Sequence, residues 1–341
     1  ENPLHRKIFE EENYDTIWNN LKQFSISNGE KAYLFLDEVQ NLPEISRVVK
    51  YLYDHWDVKF FLTGSSSYYL RNLFPESLAG RKIIFEMFPL TFSEFLVFKQ
   101  VERVVVQEFS QKAEKKNQIS YDRLIPYYKE YLKFGGFPSV VLEQSLERKK
   151  ILLNEIFTSY FEKDAKNLAD FNDMSKLRDL ILFLIPRIGA RVEVLKLATT
   201  LSVSRETVYA YLAFLEQTYF ISLLPRYSGS IDRQAAGSRK LFLCDSGIAG
   251  ILGKSSEGQL FEQSVFQNLR SDYALAFYNR NEGKEIDFIV DKKIALEVKT
   301  TASQRDITTL QLRANSIRIP DYFVITLQYL DKEKIVVVTD M

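Results

Sequence analysis

Short apolar runs separated by segments of helical periodicity mark the first part of the chain. Lys31–Leu36 is such a run, the pattern of a buried parallel strand. Ile45, Val48, Val49 and Leu52 then recur at helical spacing. Val58–Leu62 reads as a second strand, running into Thr63-Gly64-Ser65-Ser66-Ser67, and Lys82–Phe85 as a third. Strands alternating with helices predict a sheet covered on both faces. Val101–Ser120 is mixed and polar and predicts a boundary or connector. Tyr121–Pro186 is mostly helical, broken at Phe134-Gly135-Gly136-Phe137-Pro138. Val194–Leu201 predicts a helix, Ser202-Val203-Ser204 a turn, and Arg205–Gln217 a second helix with Ser204 as its N-cap. Phe220–Leu224 and Lys240–Leu243 predict a β-ribbon. After Gly247 the pattern runs helix, strand, strand, helix, strand.

At 341 residues the chain is too long for one ordinary core. The pattern predicts divisions at 1–120, 121–188, 189–245 and 246–341. Lys+Arg and Asp+Glu balance at 45 each, so no global field draws the chain to nucleic acid and any such contact needs a local basic patch. A single cysteine, Cys244, rules out an intrachain disulfide and points to a reducing, cytoplasmic setting. His5 and His55 lie too far apart in sequence to suggest a metal site, and no apolar run suggests a membrane span.

Candidate chemistry gathers at three places. The first strand ends in Asp37-Glu38. A buried strand delivers the first acid rigidly to magnesium beside nucleotide phosphates, and the second polarises the attacking water. The same two acids are also good residues for opening a helix. Ser65 and Ser66 follow the next strand, where a hydroxyl can sense a γ-phosphate. Arg81 can stabilise phosphate charge, within the subunit or across a homo-oligomer interface.

The helix–turn–helix–ribbon order of 194–243 is that of a winged helix. Used on DNA, it would place Arg205, Glu206 and Tyr209 at base edges, and Arg226, Arg233 and Arg239 near phosphates. Used for packing alone, it would need none of them. Finally, Lys284–Val290 and Ile294–Lys299 predict a hairpin whose alternation puts Glu297 and Lys299 on one face with Asp287 within reach. Two carboxylates and a lysine can hold magnesium and activate water for phosphodiester attack, with Glu262 on the preceding helix as a further ligand.

The order Leu34–Gln40 (LFLDEVQ), Phe60–Ser67 (FFLTGSSS), Ser77–Lys82 (SLAGRK), Phe88–Leu96 (FPLTFSEFL) and Phe134–Val141 (FGGFPSVV) resembles the bacterial and archaeal AAA-type ATPases that carry a C-terminal domain of unknown function, number 4143. The resemblance implies an α/β P-loop NTPase core of AAA+ type that binds ATP and Mg2+. Asp37 and Glu38 take the Walker B roles, Ser65 or Ser66 the sensor position, and Arg81 that of the family's arginine. Asp287, Glu297, Lys299 and Glu262 resemble the motif of the PD-(D/E)xK nuclease superfamily. The phosphate loop G-x-x-x-x-G-K-S/T matches nothing in the sequence, and in the family it lies upstream of Glu1, so a longer natural product is expected. Three functions follow as expectations: an ATPase coupled to a winged helix and a nuclease-like domain acting on or near DNA, a magnesium-dependent DNA nuclease of junction-resolving type, or a non-catalytic DNA- or protein-binding regulator.

Overall fold

Strand and helix propensity in the first 62 residues resolve into a single β-α-β crossover preceded by two helices. The computed structural model describes residues 3–24, 31–42, 44–64, 81–161, 174–228, 238–253, 255–280 and 285–341. The chain divides into two compact units, residues 1–86 with 217–219, and residues 87–216 with 220–341.

In the first unit, α1 (Pro3–Ile8) and α2 (Tyr14–Lys22) precede β1 (Ala32–Leu36), α3 (Ile45–His55) and β2 (Val58–Leu62). The two strands pair in parallel, from Ala32 opposite Val58 to Leu36 opposite Leu62. The four apolar positions read at helical spacing, Ile45, Val48, Val49 and Leu52, are the buried face of α3. They pack with Ile17, Trp18 and Leu21 of α2 and with Ala32 and Val58 of the strands. The expected covering of both sheet faces is seen on one only among the described residues. On the other, Tyr33, Phe35 and Phe61 stand exposed, with the rings of Phe35 and Phe61 stacked at 4.7 Å. The strand expected at Lys82–Phe85 is absent, and Ile83 and Phe85 are more than four-fifths exposed. No described strand gives that run a ladder, and β-propensity alone does not hold a strand.

The second unit starts on α4 (Phe92–Phe98), fixed by a Thr91/Glu94 capping box. Its Phe92 and Phe95 pack on Tyr128 and Tyr131 of α6. Between them, α5 (Phe109–Glu114) buries Phe109 against Tyr273 and Phe323, so the polar stretch 101–120 is anchored in this unit and the packing division falls at 86/87. Then come α6 (Gln118–Phe134), α7 (Pro138–Leu142), α8 (Leu146–Ser159) and α9 (Met174–Leu184). The helices α10 (Val194–Leu201) and α11 (Arg205–Gln217) have the bounds their patterns predict. Ser202 turns the chain with φ +53°, and the Ser204 hydroxyl accepts from the Thr207 amide. β3 (Ile221–Leu224) and β4 (Lys240–Leu243) form the antiparallel ribbon.

The last part holds α12 (Ser246–Leu252), α13 (Glu257–Leu269), β5 (Leu275–Asn279), β6 (Glu285–Val290), β7 (Ile294–Lys299), α14 (Gln304–Ser316), β8 (Asp321–Thr326) and β9 (Ile335–Val337). The sheet order is β5-β6-β7-β8-β9, antiparallel through β7 and parallel beyond. β5 and β9 were not legible in the alternation. One sheet face packs α14 through Ile307, Leu310 and Ala314 on Ala295 and Val324. The other joins the large core through Phe288, Leu296 and Phe323.

Two of the sequence motifs are packing devices. Asp245, wholly buried, accepts from the amides of Gly136 (2.7 Å) and Gly247 (2.8 Å) and from Gln267 Nε2 (2.9 Å). Burial pushes its carboxyl up, and these three donors pull back. Gly136 also exchanges a hydrogen bond with Leu90, its carbonyl accepting from the Leu90 amide at 2.8 Å. Gly135 sits at φ +73°, and a Cβ there would lie 1.7 Å from Asp245 Oδ1. The glycine pair and the Leu90 segment therefore enclose one buried carboxylate.

Candidate functional site

Parallel pairing brings the carboxyl ends of β1 and β2 level, so the residues that follow each strand meet. Asp37 follows Leu36, and Thr63 follows Leu62, its register partner. The Thr63 hydroxyl donates to Asp37 Oδ1, and the Glu38 amide donates to Thr63 Oγ1 at 3.2 Å. Backbone bonds close the same edge: Thr63 N to Leu36 O at 3.0 Å and Val39 N to Thr63 O at 3.1 Å. Glu38 adopts the left-handed region at φ 54°, ψ 48°, a conformation that costs an L-residue about 1–2 kcal/mol. Such a cost is tolerated where it aims a group, and here it turns the chain sharply after Asp37. Asp37 and Thr63 are exposed and Glu38 is half-buried, as access to a ligand requires.

Thr63 is the residue the sequence reading passed over in favour of its neighbours. Ser65 and Ser66 lie outside the described residues. Arg81 forms an ion pair with Asp54 and lies 5.8 Å from the Tyr53 ring centroid, so its charge is directed to α3 rather than to Asp37.

In the second unit, α11 presents Arg205, Glu206 and Tyr209 to solvent, with Arg205 and Tyr209 four residues apart on one face. Arg226 is half-buried, and its backbone bridges to Phe277 of β5. Arg239 is paired with Glu216 at 3.6 Å. Arg233 lies outside the described residues.

The carboxylates at the C-terminal sheet do converge, and a register shift is the reason. Between Ala276 and Tyr278 the β5–β6 register slips, matching Ala276 to Ile289 but Tyr278 to Ile286, so β6 carries one extra residue. β6 and β7 pair only from Phe288 onward. Asp287, just before, fills the lost rung with its side chain: Oδ2 accepts from the Val298 amide at 2.8 Å. Glu297, nearly buried, pairs with Lys299 at 3.0 Å and lies 3.8 Å from Arg313. Burial first, then Asp287, pushes the Glu297 carboxyl up to about 7, against the pull of Lys299 and Arg313. Lys299 is itself pushed up: burial works against its charge, but Glu297 and Asp287 outweigh it.

A residue not foreseen stands at the centre. The Lys240 ammonium, from the first position of β4, lies 2.6 Å from Glu262, 2.9 Å from Glu285 and 3.2 Å from Asp287. Its side chain is 2% exposed. Burial, the largest influence on it, opposes the charge, yet Asp287, Glu262 and Glu285 together push its pKa up. Glu262 is pushed up to about 8, by burial first and then by Asp287, which together outweigh its bond to Lys240. Gly189, at φ +76°, gives Glu262 its space, for a Cβ there would lie 2.7 Å from Oε2. The only signal in the sequence was a lysine opening an otherwise apolar strand.

Three family models match successive parts of the chain. A family model described as an AAA domain matches residues 1–96. Two described as domains of unknown function, 8612 and 4143, match 125–258 and 257–339. An uncharacterized protein of Methanocaldococcus jannaschii is 28% identical over 337 residues, covering 94% of this chain and 74% of its own. An uncharacterized protein of Haemophilus influenzae is 28% identical over 326 residues, covering 91% and 76%. One of Mycobacterium tuberculosis is 24% identical over 296 residues, covering 81% and 60%. No solved structure matches the chain. No helix among the described residues is long and apolar enough to cross a membrane. The chain thus carries an AAA domain followed by domain 4143, the domain order of the AAA-domain/DUF4143 proteins it resembles.

Proposed function

We propose that the protein binds and hydrolyses ATP at the edge formed by Asp37, Glu38 and Thr63, and that this cycle acts on DNA through its second unit. The supporting observation is the Thr63 hydroxyl, which ties the acid at the end of one parallel strand to the end of the next. Ligands of open α/β sheets bind at such carboxyl ends. The oxygen donors here, one carboxylate and one hydroxyl, suit the hydrated shell of magnesium. Bound magnesium would neutralise charge on the ATP phosphates. Asp37 would hold that shell, Glu38 would orient and polarise the attacking water, and Thr63 would keep Asp37 from rotating away.

The test is ATP turnover by the product of the whole reading frame. Turnover lost on Glu38→Gln, with nucleotide binding retained, is the expected result. Absence of turnover, or turnover that survives Asp37→Asn and Glu38→Gln together, refutes the assignment.

The DNA side of the reading rests on the helix–turn–helix–ribbon order of 194–243 and on the exposure of Arg205 and Tyr209 at the start of α11. In a winged helix those positions meet base edges. The balanced charge of the chain makes any such binding local and salt-sensitive.

A further inference from the structure

The C-terminal sheet has the carboxylates of a magnesium-dependent nuclease, but the donor set is already spoken for. Magnesium needs oxygen ligands at about 2.0–2.1 Å in near-octahedral array. Glu262 and Asp287 both face the Lys240 ammonium, at 2.6 and 3.2 Å, and the second Asp287 oxygen is held by the Val298 amide at 2.8 Å. Glu297 is held by Lys299 and faces Arg313. A dication sharing Glu262 and Asp287 would sit within a few ångströms of a buried ammonium that has no other direction in which to point its charge. As arranged, these residues do not fit the metal.

We propose that the Lys240 ammonium is the resident cation of this carboxylate cluster, occupying the place of a divalent metal and making the nuclease-like domain metal-independent and unable to cleave. Three observations carry this. Lys240 contacts three carboxylates at once, where a surface ion pair would satisfy one. It is held from two sides, since β4 pairs with β3 and its own residue bridges to Arg191. And the next aromatic on β4, Phe242, stacks on Phe266 of α13 at 4.3 Å and lies 5.6 Å from Phe288 of β6, fixing the strand that delivers the lysine to both elements that deliver the acids. The cation is thus supplied by the ribbon of β3 and β4, and the cluster works as a polar lock between that ribbon and the C-terminal sheet. This inference is independent of the ATPase reading.

Mn2+ serves as the probe, its free concentration read by electron paramagnetic resonance on the full chain. Asp37→Asn is the background, so that the first unit contributes no site. The expected result is the same weak binding curve with and without Glu262→Gln or Asp287→Asn. A Mn2+ site that either substitution abolishes overturns the proposal. In the same background Lys240→Ala, checked for folding by circular dichroism, is expected to gain a Mn2+ site at least about tenfold tighter, and that gain should vanish on adding Asp287→Asn. A folded Lys240→Ala protein that gains no site overturns the claim that the lysine stands where a metal would. Should Lys240→Ala fail to fold, the comparison of the Glu262 and Asp287 variants still decides.

Discussion

Replacing Glu262 by glutamine isolates the electrostatic cost of the buried cluster. In the folded protein the Glu262 carboxyl is pushed from the ordinary 4.5 up to about 8, by burial and then by Asp287. The folded state therefore binds a proton between pH 4.5 and 8 that the unfolded chain has released. Stability depends on pH through that difference, so it is highest on the acid side and falls as pH rises through the window. At about 1.36 kcal/mol per pKa unit, the loss reaches about 3 kcal/mol by pH 7 and levels off above the folded pKa. Glutamine has the size of the neutral acid and no such dependence. Its amide oxygen still accepts from the Lys240 ammonium, as the neutral acid does. Glu262→Gln is accordingly expected to be stabilising by about 1 kcal/mol at pH 5.5, by about 3 kcal/mol at pH 7 and by more at pH 8.5. The slope of stability against pH should flatten by close to one proton. Glu297, pushed up to about 7, gives a slope of the same sign, which stays in both proteins and cancels in the comparison. Both tryptophans, Trp18 and Trp56, lie in the first unit, so fluorescence follows that unit while far-ultraviolet circular dichroism also follows the second. Urea unfolding at three pH values, read by both probes, is the assay. An unchanged slope in the dichroism transition, or a wild-type second unit that grows more stable from pH 5.5 to 8.5, would refute the argument.

Other substitutions probe the remaining claims. Thr63→Val keeps shape but removes the hydroxyl that orients Asp37, and should lower ATP turnover about 10–100-fold with the fluorescence unfolding midpoint nearly unchanged; full turnover would show that Asp37 needs no such support. Gly135→Ala forces a Cβ onto the Asp245 carboxylate at a left-handed position and should destabilise the second unit by more than about 3 kcal/mol, seen as insoluble expression or a collapsed dichroism midpoint. Arg205→Glu should weaken binding to duplex DNA by about 1–3 kcal/mol and relax its sequence preference in a fluorescence-anisotropy titration, whereas unchanged affinity and preference would place the start of α11 away from base edges.

Local chemistry was legible where one element decides the outcome. The bounds of α10 and α11 and the buried face of α3 follow from periodicity and a Ser204 cap, because a helix carries its own hydrogen bonds. The strand at Lys82–Phe85 failed for the opposite reason: a strand exists only with a partner, and a run of apolar residues does not say whether one is present. Thr63 was hidden for a related reason. Its role comes from the parallel register of β1 and β2, which sets it against Asp37 across 26 residues of sequence. Lys240 was the least visible. Nothing beside it in sequence is acidic except Asp245, and its three acids come from α13 and β6, which the order of elements lists but does not place.

The two acid groups that looked alike in sequence have opposite electrostatic situations, and the difference argues for their roles. Asp37 is exposed at a strand end, held by a neutral hydroxyl that fixes its direction without cancelling its charge. Its negative charge is still available to a cation brought by a ligand. Asp287 and Glu262 are enclosed, and both already face an ammonium from a neighbouring strand. Exchanging that ammonium for a dication would mean expelling a buried lysine whose charge the same acids stabilise, and breaking a buried pair typically costs about 3–5 kcal/mol before any metal contact is made. Coordination chemistry is therefore open at the first site and self-satisfied at the second. That asymmetry makes the AAA domain the place to look for turnover, and the C-terminal sheet the place to look for a binding surface locked to its ribbon.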